Sequence, residues 1–168
     1  MEFQDMAQSQ ALAACQRSAS EFSPYVELWQ SLPSQLEAIS PFIDQLMRFI
    51  KSFRNGGGSE VDIEIAVNEA LTNSVVHGNH EDASKRVFVT SRCTEDGEVS
   101  ITVRDEGEGF DSRTVPDPTA PENVLSNHGR GIYLIRTLMD EVTFEQNGTV
   151  LKMRKRSNIG AGAERQAE

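Results

Sequence analysis

Cysteine is scarce: Cys15 and Cys93 are the only two in 168 residues. Two thiols that far apart supply neither a disulfide framework nor a Cys-x-x-Cys site, and they read as reduced thiols of a cytosolic protein. Positive charge is also in short supply. The 16 Lys and Arg stand against 26 Asp and Glu, for a net charge of −10. That balance excludes the cationic surface with which nucleic-acid binders neutralise phosphates, and it suits a basic protein partner. No apolar run approaches membrane-spanning length, so no membrane segment is expected. The opening MEFQDM carries acids where a secretory signal needs a basic stretch. Internal repeats are lacking. Asn55–Gly56–Gly57–Gly58 is not followed by the Lys-Ser/Thr of a Walker phosphate loop, so it reads as a flexible turn. His77, His80 and His128 lack the spacing, thiols and carboxylates of a zinc site.

What is present is a chain of single-domain length, 38% hydrophobic and 25% charged, as in globular proteins. Residues 1–24 form an N-terminal extension rich in Ala, Gln and Ser. Residues 25–156 form the domain, and residues 157–168 a small, polar, flexible tail. Tyr25–Trp29 reads as a short strand, with Pro33 closing its neighbourhood. Ser40–Pro41 is a helix entry, and the helix that follows aligns Phe42, Leu46, Phe49, Ile50 and Phe53 on one face. After a polar loop over Asn79–Lys85, strands at Arg86–Arg92 and Glu98–Arg104 turn at Asp96–Gly97. Ser112–Asn127, broken by Pro116, Pro118 and Pro121, is a long loop of the kind that is either a functional lid or disordered. Gly131–Met139 forms a helix, and Glu141–Gln146 pairs with Thr149–Arg154 across Asn147–Gly148. The expected architecture is an α/β (α+β) two-layer sandwich, a mixed sheet covered on one face by helices.

Three stretches carry chemistry. The first, Glu64–Gly78 (EIAVNEALTNSVVHG), is a helix introduced by a start signal at Ser59–Asp62. Glu69, Asn73 and His77 recur at i, i+4 and i+8 and form one polar stripe. Ile63, Val67, Ala70, Leu71 and Val75 lie opposite. Ile65, Ala66 and Val76 flank the stripe, so the helix is apolar nearly all round and is expected to be buried. A buried carboxylate asks for a partner, such as a cation held with phosphates, although a Glu–Asn pair can equally be a solvated face. The second stretch is DEGEGFD, Asp105–Asp111, at a strand end. Its carboxylate can accept a hydrogen bond from an exocyclic amine, and its glycines let a flat ring approach; a plain acidic turn is the alternative. The third is His128–Gly129–Arg130–Gly131, which opens into a helix whose N–H groups and dipole favour phosphate, or which is merely a tight loop-to-helix junction.

Together these segments resemble the N, G1 and G2 boxes of the Bergerat ATP-binding fold of the GHKL superfamily. Gyrases, heat-shock chaperones, histidine kinases and mismatch-repair ATPases share it. The closest resemblance within it is to the anti-sigma factor serine/threonine protein kinases. It is carried by EALTNSVVHGN at Glu69–Asn79, DEGEGFD at Asp105–Asp111 and GRGIYLIRTLMDEV at Gly129–Val142, and it extends over Val26–Lys155, with ELWQSLPSQLEAI at Glu27–Ile39 similar to that family's first strand. The resemblance implies ATP and Mg²⁺ as cofactors, with Glu69 as general base and Asn73 as metal ligand. Asp105 would hold the adenine amine, Gly107 and Gly109 would make room for the base, and Gly129 and Gly131 would shape the phosphate end of the lid. Arg130 is the candidate cation for the γ-phosphate. His77 would pack beside the nucleotide or simply be polar at a helix end. The implied partners are a sigma factor and a small anti-sigma-factor antagonist that is phosphorylated, with the kinase a cytoplasmic homodimer. A nucleotide-gated switch that only sequesters a partner stays open, as does a stand-alone histidine-kinase catalytic domain acting in trans.

Overall fold

The computed structural model describes residues 17–18, 24–54, 59–110 and 130–157. The proposed lid, Gly129 and His128, nearly all of the N-terminal extension and residues 158–168 of the tail lie outside them. The elements are β1 (Arg17–Ser18), β2 (Tyr25–Pro33), α1 (Ile39–Phe53), α2 (Glu60–Asn73), β3 (Arg86–Thr94), β4 (Val99–Arg104), α3 (Arg130–Leu138), β5 (Glu141–Glu145) and β6 (Val150–Lys155). A π-helical turn, Ser74–Gly78, extends α2.

The six strands form one sheet in the order β1-β2-β3-β4-β6-β5. The two-layer sandwich is as expected, but the sheet is antiparallel at every pairing rather than mixed. The reason is where the chain returns after α3. It lays β5 on the outer edge, in the same direction as β4, and β6 folds back between the two. A parallel pair needs a crossover that lands directly beside its partner strand.

Period-2 alternation fixes which side is covered. In β3, Val87, Val89, Ser91 and Cys93 are buried while their neighbours are not. Val99, Ile101 and Val103 of β4 do the same, and register sets Val103 opposite Val89 and Ile101 opposite Met153. Helices α1, α2 and α3 cover this side. The other face carries Trp29 beside Phe88, with the Arg104 guanidinium 4.4 Å from the Phe88 ring centre. Cys93 lies in the core, and burial pushes its thiol up to about 12. At that value it is an inert hydrophobe at neutral pH.

Helix α1 starts one residue ahead of the Ser40–Pro41 entry, because a 3-10 turn at Leu36–Ala38 runs straight into it. Pro41 still falls in the first turn, where no N–H is missed. Its buried face is Ile39, Phe42, Ile43, Leu46, Met47 and Ile50. Leu46 has no exposed surface, so Leu46→Ala is expected to lower stability by about 2–5 kcal/mol through transfer and cavity costs. Urea titration would read this as a lower midpoint at unchanged slope.

Helix α2 departs from expectation. Ile63, Ala66, Val67, Ala70 and Leu71 are buried, yet Val61 is 64% and Ile65 38% exposed. A helix lying on a single sheet keeps an outer side in water, whatever its composition.

Candidate functional site

Helix α2 and its π turn carry both ends of the site. At the first end, Glu69 and Asn73, four residues apart, share a face and are each half-buried. What covers them is the first turn of α3. A Cβ placed on Gly131 would stand 2.7 Å from Glu69 Oε2 and 3.2 Å from Asn73 Nδ2. Only a residue without a side chain lets the helix start so close to both groups. The far end of α3 is fastened next to the start of α2, which makes the two helices antiparallel: Lys155 Nζ donates to the Leu138 carbonyl at 2.6 Å and lies 3.0 Å from Asp62 Oδ2. The positive dipole end of α3 thus begins at the polar stripe. Arg130, the first residue of α3, is exposed there.

The second end is built by the π turn. Its extra residue lets the Asn79 N–H reach the Ser74 carbonyl at 2.8 Å, five residues back. Ser74 is buried, and its side chain favours the charged form of the Asp105 carboxylate. Asp105 follows β4 directly. Its N–H donates to the Thr149 carbonyl at 3.1 Å, and its Oδ1 accepts from the Gly107 N–H at 2.9 Å. Burial raises the Asp105 carboxyl above its usual range, against the Gly107 and Ser74 hydrogen bonds. It is a desolvated acceptor with lone pairs to spare, suited to a neutral N–H donor.

Asn79, fully buried, clips the two segments together. Its Nδ2 donates to the Arg86 carbonyl at 3.0 Å and its Oδ1 accepts from the Glu106 N–H at 2.9 Å. Glu106 Oε2 accepts in turn from the Arg86 N–H at 2.7 Å. A Cβ on Gly78 would meet Asp105 Cγ at 2.6 Å.

The paired glycines Gly107 and Gly109 serve the protein's own backbone. A Cβ on Gly107 would clash with the Gly78 carbonyl, and one on Gly109, whose φ is +79°, with the Asn147 carbonyl. The Phe110 N–H donates to that same Asn147 oxygen at 2.7 Å, and its ring meets Phe144 edge-on at 5.6 Å. Their smallness therefore docks the acidic turn onto Gly78 and the β5–β6 connection. Gly107→Ala is expected to displace Asp105 by forcing backbone from backbone. Calorimetry should show loss of nucleotide binding and thermal melting a lowered midpoint.

The structure thus gathers Glu69, Asn73 and Gly131 at one end and Asp105, Gly107 and Gly109 at the other. His77 is exposed on the π turn, and Gly129 lies outside the described residues. Ser74, Gly78 and Asn79 are site-building residues that the sequence reading did not single out. The available signal was a glycine followed by asparagine where a helix meets a polar loop.

A family model described as the histidine kinase-like ATPase domain matches residues 32–155. The chain belongs to that family. An anti-sigma F factor of Clostridium perfringens (strain SM101 / Type A) is 38% identical over 128 residues, covering 72% of this chain and 84% of that protein. A serine-protein kinase RsbW of Staphylococcus epidermidis is 34% identical over 145 residues, 78% of this chain and 86% of the relative. An anti-sigma F factor of Heyndrickxia coagulans is 34% identical over 99 residues, 55% of this chain; the match spans 66% of that relative, just under two thirds of its length. Within the histidine kinase-like ATPases this chain therefore belongs with the anti-sigma factor serine/threonine kinases, and ATP use goes with the domain. Among the described residues no helix is long and apolar enough to cross a membrane.

Proposed function

We propose that this histidine kinase-like ATPase transfers the γ-phosphoryl group of ATP, with Mg²⁺, to a serine or threonine of a small anti-sigma-factor antagonist, and that it sequesters a sigma factor as the other arm of a partner-switching pair. One observation supports this most: Glu69 and Asn73 stand together under the first turn of α3, and the π turn that continues the same helix packs on Asp105. Gly78, against which Asp105 packs, is nine positions beyond Glu69, about 13 Å along a helix axis. That is on the scale of a nucleotide from base edge to terminal phosphate.

Asp105 would accept from the adenine amine. The amide oxygen of Asn73 fits Mg²⁺, which takes few protein ligands and keeps phosphates and waters; bound there, the metal would neutralise charge on the phosphates. Gly131 brings the N–H groups of α3 to the same place, and Arg130 supplies a cation beside them. Glu69 takes the acceptor hydroxyl's proton as the new O–P bond forms and the bond from Pγ to the ADP oxygen breaks. Phosphoryl transfer asks mainly for positioning and charge neutralisation, and this set of groups supplies both. A homodimer and a cytoplasmic location belong to the same proposal.

The test is incubation with γ-labelled ATP, Mg²⁺ and host extract. A small protein carrying acid-stable label, lost with Glu69→Ala and with Asp105→Asn, supports the kinase. ATP binding without transfer overturns it in favour of the sequestering switch. An acid-labile label points to a phosphohistidine and overturns the serine/threonine assignment.

A further inference from the structure

The face of α2 that carries Asn73 and Glu69 continues toward the helix start through Ile65 and Val61, at four-residue steps. Both are large, apolar and on the surface, 38% and 64% exposed. In α3 the turn that begins against Glu69 presents Tyr133, 46% exposed. Scattered apolar residues on a surface need no explanation. These are not scattered. Among the described residues three of the six exposed large hydrophobics stand on the two helices that meet at Glu69.

Proton transfer brings the acceptor hydroxyl within about 2.6–3.2 Å of the Glu69 carboxylate. Ile65 is one turn away, about 6 Å along the axis, and Val61 one turn further. A folded protein that delivers a hydroxyl to Glu69 must therefore cover this neighbouring surface. Burying a few apolar anchors inside a polar rim is how such contacts gain affinity. The rim here is set by exposed Glu64 and Asn68, which lie between the apolar positions.

Resting on the kinase assignment, we propose that Val61, Ile65 and Tyr133 form the seat of the phosphoacceptor protein. Its matching surface is an apolar patch beside the acceptor hydroxyl, with a cationic side chain at the edge facing Glu64. The seat sets which protein is phosphorylated and leaves the chemical step to Glu69.

The probe is the acceptor that the wild-type protein labels in extract, purified and titrated in steady-state transfer. Ile65→Ser and Val61→Ser are each expected to raise KM for that acceptor about tenfold, as expected from exposing a side chain that the complex buries. At saturating acceptor kcat should hold, and ATP affinity and melting temperature should be unchanged, the signature of lost ground-state binding. Ile65→Leu should keep the wild-type KM, and Glu64→Lys should raise it. Unchanged KM in both serine variants, or a fall in kcat at constant KM, overturns the seat while leaving the kinase standing. Failure of the wild-type protein to label any acceptor overturns the kinase assignment, and the seat with it.

Discussion

Glu69→Gln is expected to lower phosphotransfer by about 10²–10⁴-fold, the usual worth of a positioned general base. The amide keeps the shape that Gly131 packs against, so the contact between α2 and α3 survives and ATP affinity should match the wild type. Single-turnover transfer from labelled ATP measures the first effect, and calorimetry the second. Loss of binding together with loss of rate would place Glu69 among the groups that hold the nucleotide and remove it from the chemical step.

Asp105→Asn should act in the opposite way, on affinity before rate. Exchanging the carboxylate for an amide removes a charged acceptor and presents an N–H₂ donor that can face the adenine amine. Hydrogen bonds to charged groups are worth about 1.5–3 kcal/mol, so Kd for ATP should rise by about one to two orders of magnitude. Stability of the empty protein should not fall with it. Burial raises the folded pKa of Asp105 above its ordinary 3.8, so the native state holds the proton more tightly than the unfolded chain does. Stability contributed at this position is therefore lost as pH rises from 3.8 through the raised value, and at neutral pH the cost of the bare charge is fully present. Asparagine lifts that cost. Thermal melts at pH 7 without nucleotide should show a midpoint no lower than wild type, while the ATP-induced rise in midpoint at a given ATP concentration shrinks.

Much of this site could be read from the residues. The i, i+4 spacing of Glu69 and Asn73 is a property of helix geometry alone, and the structure keeps it. Gly107, Gly109 and Gly131 mark close approach, though the sequence could not say to what. At 107 and 109 the close neighbours are the carbonyls of Gly78 and Asn147, long-range contacts that no local pattern reveals. Sheet direction was misjudged for a similar reason. Strand periodicity says which residues face inward but not which strand returns beside which, and β6 entering between β4 and β5 is decided by tertiary packing. The exposure of Val61 and Ile65 shows the limit of composition: an apolar circumference does not bury a helix that has only one layer beneath it.

Ser74–Gly78 holds one residue more than an α-helical ladder accommodates. In that respect it resembles an insertion that the fold has absorbed and put to use. A chain shortened by one residue here, at Val76 for example, could close into an unbroken α-helix with better local hydrogen bonding. It would also rotate everything downstream by about 100°. Gly78 would swing off Asp105, and Asn79 would lose both the Arg86 carbonyl and the Glu106 N–H. Along this helix the site depends on the length of the chain as much as on its side chains.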